Sequence, residues 1–146
     1  MIRQDDSTLS DGPAYSERRD LERRAELTNS VGNCVYMSIH QNFYPTGQPS
    51  GSLVIYSSNE ESERLGKLTH QNLIQSLNPD NRRIAEPAQK GLYILSKLSC
   101  PAILVECGFM SNFSEMERLK TSEYQTALAT VLMSSFLQYA ETSEYI

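Results

Sequence analysis

The sequence predicts an α/β layer fold. Two observations carry the prediction. Short β-type runs at residues 34–39, 51–56, 92–95 and 101–105 are interleaved with amphipathic helical segments. One of these runs, Pro-Ala-Ile-Leu-Val at 101–105, is apolar throughout, the pattern of a strand buried on both faces.

Each element has a local reason. The first 14 residues are polar and close on Gly12 and Pro13, as a strand end and loop would. Residues 15–30 turn helical, with Leu21 and Ala25 forming a narrow apolar stripe among charges and Gly32 as the stop. The run at 34–39 reads as a strand that ends in His40. Pro45, Gly47 and Pro49 make 43–50 a loop before the strand at 51–56. Ser58-Asn59-Glu60-Glu61 fits a capping box with Ser58 at the cap. The helix after it carries Leu65, Leu68, Leu73 and Leu77 on one face. Residues 78–90 are polar, contain two prolines and read as a long surface loop, and 92–95 read as a short strand. Boxes starting at Ser114 and Ser122 open two final helices. The second of these places Tyr124, Leu128, Val131, Leu132, Phe136 and Tyr139 on one face.

Composition narrows the function. The chain has 146 residues, the size of one domain, and a formal charge of −5, which argues against a nucleic-acid binder. No window approaches the ~20 apolar residues of a membrane span, and the opening Met-Ile-Arg-Gln-Asp-Asp is no signal peptide. The 3 cysteines, Cys34, Cys100 and Cys107, form no CxxC pair, which argues against a thiolate zinc knuckle and allows at most one disulfide. Cys34 and Cys100 sit beside apolar runs and read as small core residues.

Two strands end in chemistry-bearing residues, His40 and Glu106. Sites in α/β sheets lie outside the carboxyl ends of strands, so parallel neighbouring strands would bring these two into one crevice. Glu106 follows an apolar run; it either reaches solvent at the strand end or must be paired, metal-linked, protonated or working as an acid/base. His40 is either structural or a ligand. His70 reads as solvated on the polar side of its helix. Cys107 is a small core thiol or, with His40 as base, a nucleophile.

The segments 38–42 (Ser-Ile-His-Gln-Asn) and 101–112 (Pro-Ala-Ile-Leu-Val-Glu-Cys-Gly-Phe-Met-Ser-Asn) resemble the two best signatures of the zinc-dependent N-acetylmuramoyl-L-alanine amidases of type 3. Arg3 and Asp6, then Leu21, Arg24 and Asn29, residues 51–56, and Glu115, Leu119, Tyr124, Gln125 and Ala129 extend the resemblance along the chain. It implies a three-layer α/β fold, a twisted and mostly parallel sheet flanked by helices. It implies a hydrolase that cuts the amide between N-acetylmuramic acid and L-alanine in peptidoglycan, with stem peptide and glycan as partners and a cell-wall location. The cofactor implied is Zn²⁺, held by three protein ligands plus water. Residue by residue, His40 matches a zinc ligand, Glu106 the general acid/base and Asn42 a substrate-binding position.

The family's opening strand, its Asp-Pro-Gly-His-Gly-Gly-like loop and the next ligand glutamate have no counterpart in these residues. The expectation is an N-terminally truncated domain over 1–146, its C-terminal portion, with an incomplete zinc site and little activity alone. An exposed sheet edge would permit a homodimer. Two other readings stand beside this one: a non-catalytic module that binds cell wall or a partner protein, and a Cys-His hydrolase through Cys107 and His40.

Overall fold

The computed structural model describes residues 2, 7–9 and 15–143. The elements follow the order α1 (Glu17–Val31), β1 (Tyr36–Asn42), β2 (Leu53–Tyr56), α2 (Glu60–Leu77), β3 (Glu86–Pro87), a 3-10 turn (Ile94–Ser96), β4 (Ala102–Phe109), α3 (Phe113–Leu119) and α4 (Ser122–Glu141). Arg3, Asp6 and most of the polar segment 1–14 lie outside the described residues.

The four strands form one sheet in the order β1-β4-β2-β3. β4 runs parallel to β1 and antiparallel to β2, while β2 and β3 are parallel. The sheet is therefore mixed and mostly parallel. β4 is central, and seven of its eight positions are buried, as its unbroken apolar start requires. β1 closes one edge and is half-buried to exposed.

The side chains of β4 alternate between two cores. Ile103, Val105 and Cys107 join Leu65, Leu73, Leu128, Leu132 and Tyr139 of α2 and α4. Ala102 and Leu104 join Ala25 of α1 and Ile94 and Leu95 of the 3-10 turn. Helices on both faces give the expected three layers. Polar clamps fix them. Asn29 on α1 accepts from Ser99 N at 3.0 Å and donates to Lys97 O at 2.9 Å. Ser62 of α2 accepts from Ala102 N at 2.8 Å, and Glu61 accepts from Tyr139 of α4 at 2.6 Å.

Several expectations need correction. Residues 92–95 form no strand: Ser96 N and Ser96 Oγ both bond Tyr93 O, curling the run into a 3-10 turn that buries Ile94 and Leu95 under α1. A four-residue apolar run carries too little period to separate the two outcomes. The missing strand is β3, inside the expected loop, where Pro87, without an N–H, is tolerated at the sheet edge. The helix caps also move. Asn59, Asn112 and Thr121 accept from the backbone three residues on, in place of Ser58, Ser114 and Ser122. His70 is 4% exposed, because residues 78–85 fold back over α2 and the Arg83 carbonyl meets its Nε2 at 3.0 Å.

Candidate active site

The register of β1 on β4 sets the site. Tyr36 pairs with Ala102, and the ladder runs in step to His40 opposite Glu106. Registered residues of parallel neighbours project from the same face of a sheet. Tyr36 and Leu104 pack in the α1-side core, so Ser38, His40 and Glu106 follow them on that face. Both residues sit inside their strands, which run on to Asn42 and Phe109, not at the abrupt ends that the apolar runs implied.

Glu106 is half-buried, and its Oε2 is buried with no hydrogen-bond partner among the described residues. Burial pushes its pKa up, and the charge of His40 only partly offsets this. A carboxyl with a raised pKa holds its proton more readily than a free one and can return it, which is what a general acid/base needs. His40 is exposed on the edge strand, and its Nε2 is hydrogen-bonded to Ser38 Oγ at 2.8 Å. That contact orients the ring and leaves Nδ1 for another partner. The place of Ser38 two residues before His40 on a strand is the sequence signal that could pair them.

Asn42 lies at the end of β1, past a register shift between His40 and Asn42. Its Oδ1 accepts from Phe43 N at 2.8 Å, so the side chain shapes the turn out of the strand. It lines a shallow groove with Tyr44, Gln48, Arg83 and Phe109. A larger groove of about 980 Å³ runs along β1, lined by Tyr36, Ser38 and His40 on one side and by Leu21, Arg24, Leu92 and Tyr93 on the other.

Glu115, which the sequence places in a capping box and among the residues of the family resemblance, has a structural role that neither reading states. It is 4% exposed. Its carboxylate accepts from Gly51 N at 3.0 Å, Phe109 N at 2.8 Å and Arg118 at 3.0 Å. It thereby ties the entry to β2 to the exit of β4, beside the His40–Glu106 pair.

The Cys-His reading fails on the alternation of β4. Cys107 is 2% exposed in the core under α2 and α4, on the face opposite Glu106, and burial lifts its thiol to about 11. Neither thiolate nor access is available there.

The family model described as Amidase_3, N-acetylmuramoyl-L-alanine amidase, matches residues 1–136. The chain belongs to this amidase family. The germination-specific N-acetylmuramoyl-L-alanine amidase of Bacillus subtilis (strain 168) is 31% identical over 144 residues, 95% of this chain and 60% of that protein. The N-acetylmuramoyl-L-alanine amidase LytC of the same organism is 25% identical over 134 residues, 87% of this chain and 26% of that protein. Among solved structures, the CwlD amidase from Clostridioides difficile, in complex with the GerS lipoprotein, superimposes with a TM-score of 0.87 at 27% identity, covering 97% of this chain and 75% of that one. The chain thus spans 60% and 26% of the length of these two Bacillus amidases. The likeness to the CwlD structure bears out the α/β fold expected from the sequence.

Proposed function

We propose that this chain carries the His40 and Glu106 half of a peptidoglycan amidase site, hydrolysing the amide between N-acetylmuramic acid and L-alanine. The carrying observation is the register that sets His40 opposite a half-buried Glu106, one oxygen of which has no partner among the described residues. Glu106 takes the proton of the attacking water and passes it to the leaving amine of L-alanine. His40 is a metal ligand, oriented through Ser38. Asn42 and the groove along β1 receive the wall strand.

Zinc, when bound, polarises the amide carbonyl and lowers the pKa of its water. The described residues do not complete a site for it. No group of three His, Cys, Asp or Glu side chains among them could hold a metal, whereas a catalytic zinc takes three protein ligands. In this reading His40 supplies one ligand, and the described residues supply no complete set around it. Turnover by the isolated chain is expected to be low for that reason. The same family membership supports a cell-wall location, and no described helix is long and apolar enough to cross a membrane. The β1 edge, which pairs with no other strand among the described residues, is where a second copy or a partner chain would dock.

Incubation with purified peptidoglycan and zinc, counting new L-alanine amino groups, tests the reading. Release is expected to fall by about two to four orders of magnitude in Glu106→Gln and to lose its zinc dependence in His40→Ala. Undiminished release from Glu106→Gln overturns the assignment. No release from the unmodified chain, with co-sedimentation on peptidoglycan retained, favours a non-catalytic wall-binding module. The incomplete donor set is the observation that keeps this second reading.

A further inference from the structure

We propose that Cys34 and Cys100 form a dithiol–disulfide pair that can clamp the start of β1 to the start of β4. The register carries this. Every pair from Tyr36 with Ala102 to His40 with Glu106 is separated by 66 residues, and 66 also separates Cys34 from Cys100. The ladder closes next to Cys100, where Tyr36 N donates to Pro101 O at 2.9 Å. Neighbouring strands lie about 4.8 Å apart, inside the Cα window of about 4.4–6.8 Å that a disulfide spans. Both cysteines also face one way. Cys100 is buried in the α1-side core, and Cys34 packs against that core.

The thiols sense each other. Burial and then the neighbouring Cys34 raise Cys100 to about 12. All three cysteines are unbridged in the structure. Cys107 lies in the opposite core and is out of reach, so it serves as an internal control. Cys34 is half-buried and is the thiol a soluble oxidant can meet.

The chemistry balances with an oxidant of the glutathione-disulfide class. The Cys34 thiolate attacks one glutathione sulfur, forming a mixed disulfide and releasing one glutathione thiolate, which takes up a proton. Cys100 then gives up its proton and displaces the second glutathione. Two protein thiols are oxidised, and one glutathione disulfide is reduced to two thiols. The reluctance of Cys100 to ionise makes this second step the slow one. The crosslink locks the strand register that places His40 opposite Glu106, and it depends on no part of the enzymatic reading.

The test incubates the native chain with excess oxidised glutathione and counts thiols in denaturant. The 3 thiols are expected to fall to the single one of Cys107, with one peptide linkage joining residues 34 and 100. Closing a loop of this length is expected to raise Tm by roughly 5–15 °C, reversibly on reduction. Cys34→Ser should show neither change. Three thiols remaining, glutathione retained on Cys34, a linkage through Cys107 or to a second chain, or a lowered Tm overturns the proposal.

Discussion

Glu115→Gln is a sharp test of how the site end of the sheet is held. The substitution keeps the size of the side chain and the backbone bond from Glu115 N to Asn112 Oδ1, so α3 keeps its cap. It changes what the carboxylate does. One oxygen takes Gly51 N and Arg118, and the other takes Phe109 N. A glutamine has one acceptor oxygen, so whichever way it turns, its NH₂ group faces a backbone N–H. One buried donor is left without an acceptor, at about 1–3 kcal/mol, and the surviving bond loses its charge assistance, about 1 kcal/mol more. The Arg118 side chain is 37% exposed, so the ion pair adds under about 1 kcal/mol. The sum is about 3 kcal/mol, or a Tm lower by roughly 6–12 °C for a chain of this size. Urea unfolding followed by circular dichroism at neutral pH measures it. Glu117→Gln is the control, since its bond to Lys120 joins side chains that are 53% and 62% exposed, and its cost should stay below about 0.5 kcal/mol. Equal costs for the two variants would refute the pinning role of Glu115.

Two further outcomes follow from the packing of α2. Glu61 is held at about 2, below its usual 4.5, by hydrogen bonds from Arg64 and then Tyr139. A depressed carboxylate stabilises the fold above its unfolded pKa and loses that contribution as pH falls through the folded one. With its side chain 32% exposed, the screened contribution is about 1 kcal/mol. The destabilisation of Glu61→Gln, measured by urea midpoints, should therefore be present at pH 5 and shrink steadily towards pH 2; a pH-independent cost would contradict the pairing. Gly66→Ala places a methyl 2.9 Å from Tyr56 Cβ, where α2 crosses β2. Both neighbours are buried and cannot yield freely, so the chain should lose about 1–3 kcal/mol, readable as a lower Tm.

The sequence reveals the site and the layers unevenly. β4 is legible because five consecutive apolar residues leave a buried strand as the economical reading, and Glu106 stands out against that run. The alternation of β4 also decides Cys107: once the strand is carried past Glu106, the next residue must face the other core. What could not be read is non-local. Nothing near residues 36–42 states that β4 is their neighbour or that β2 inserts antiparallel on its far side, because parallel pairing spans 66 residues of chain. The burial of His70 depends on a polar segment more than ten residues away folding over it, so its helix periodicity points the wrong way. Short runs failed at 92–95 and 86–87 for the same reason: pairing partners, not local composition, separate a turn from a strand. For the proposed site, the sequence names His40 and Glu106 as candidates, and the fold supplies their opposition and the contacts of Glu115.

Zinc binding by the purified chain, measured by calorimetric titration beside His40→Ala, addresses the His40–Glu106 site most directly. A metal site built on His40 predicts that the substitution weakens zinc binding at least about tenfold while the Tm without metal is unchanged, since His40 is exposed. Equal zinc binding by the two proteins would contradict it.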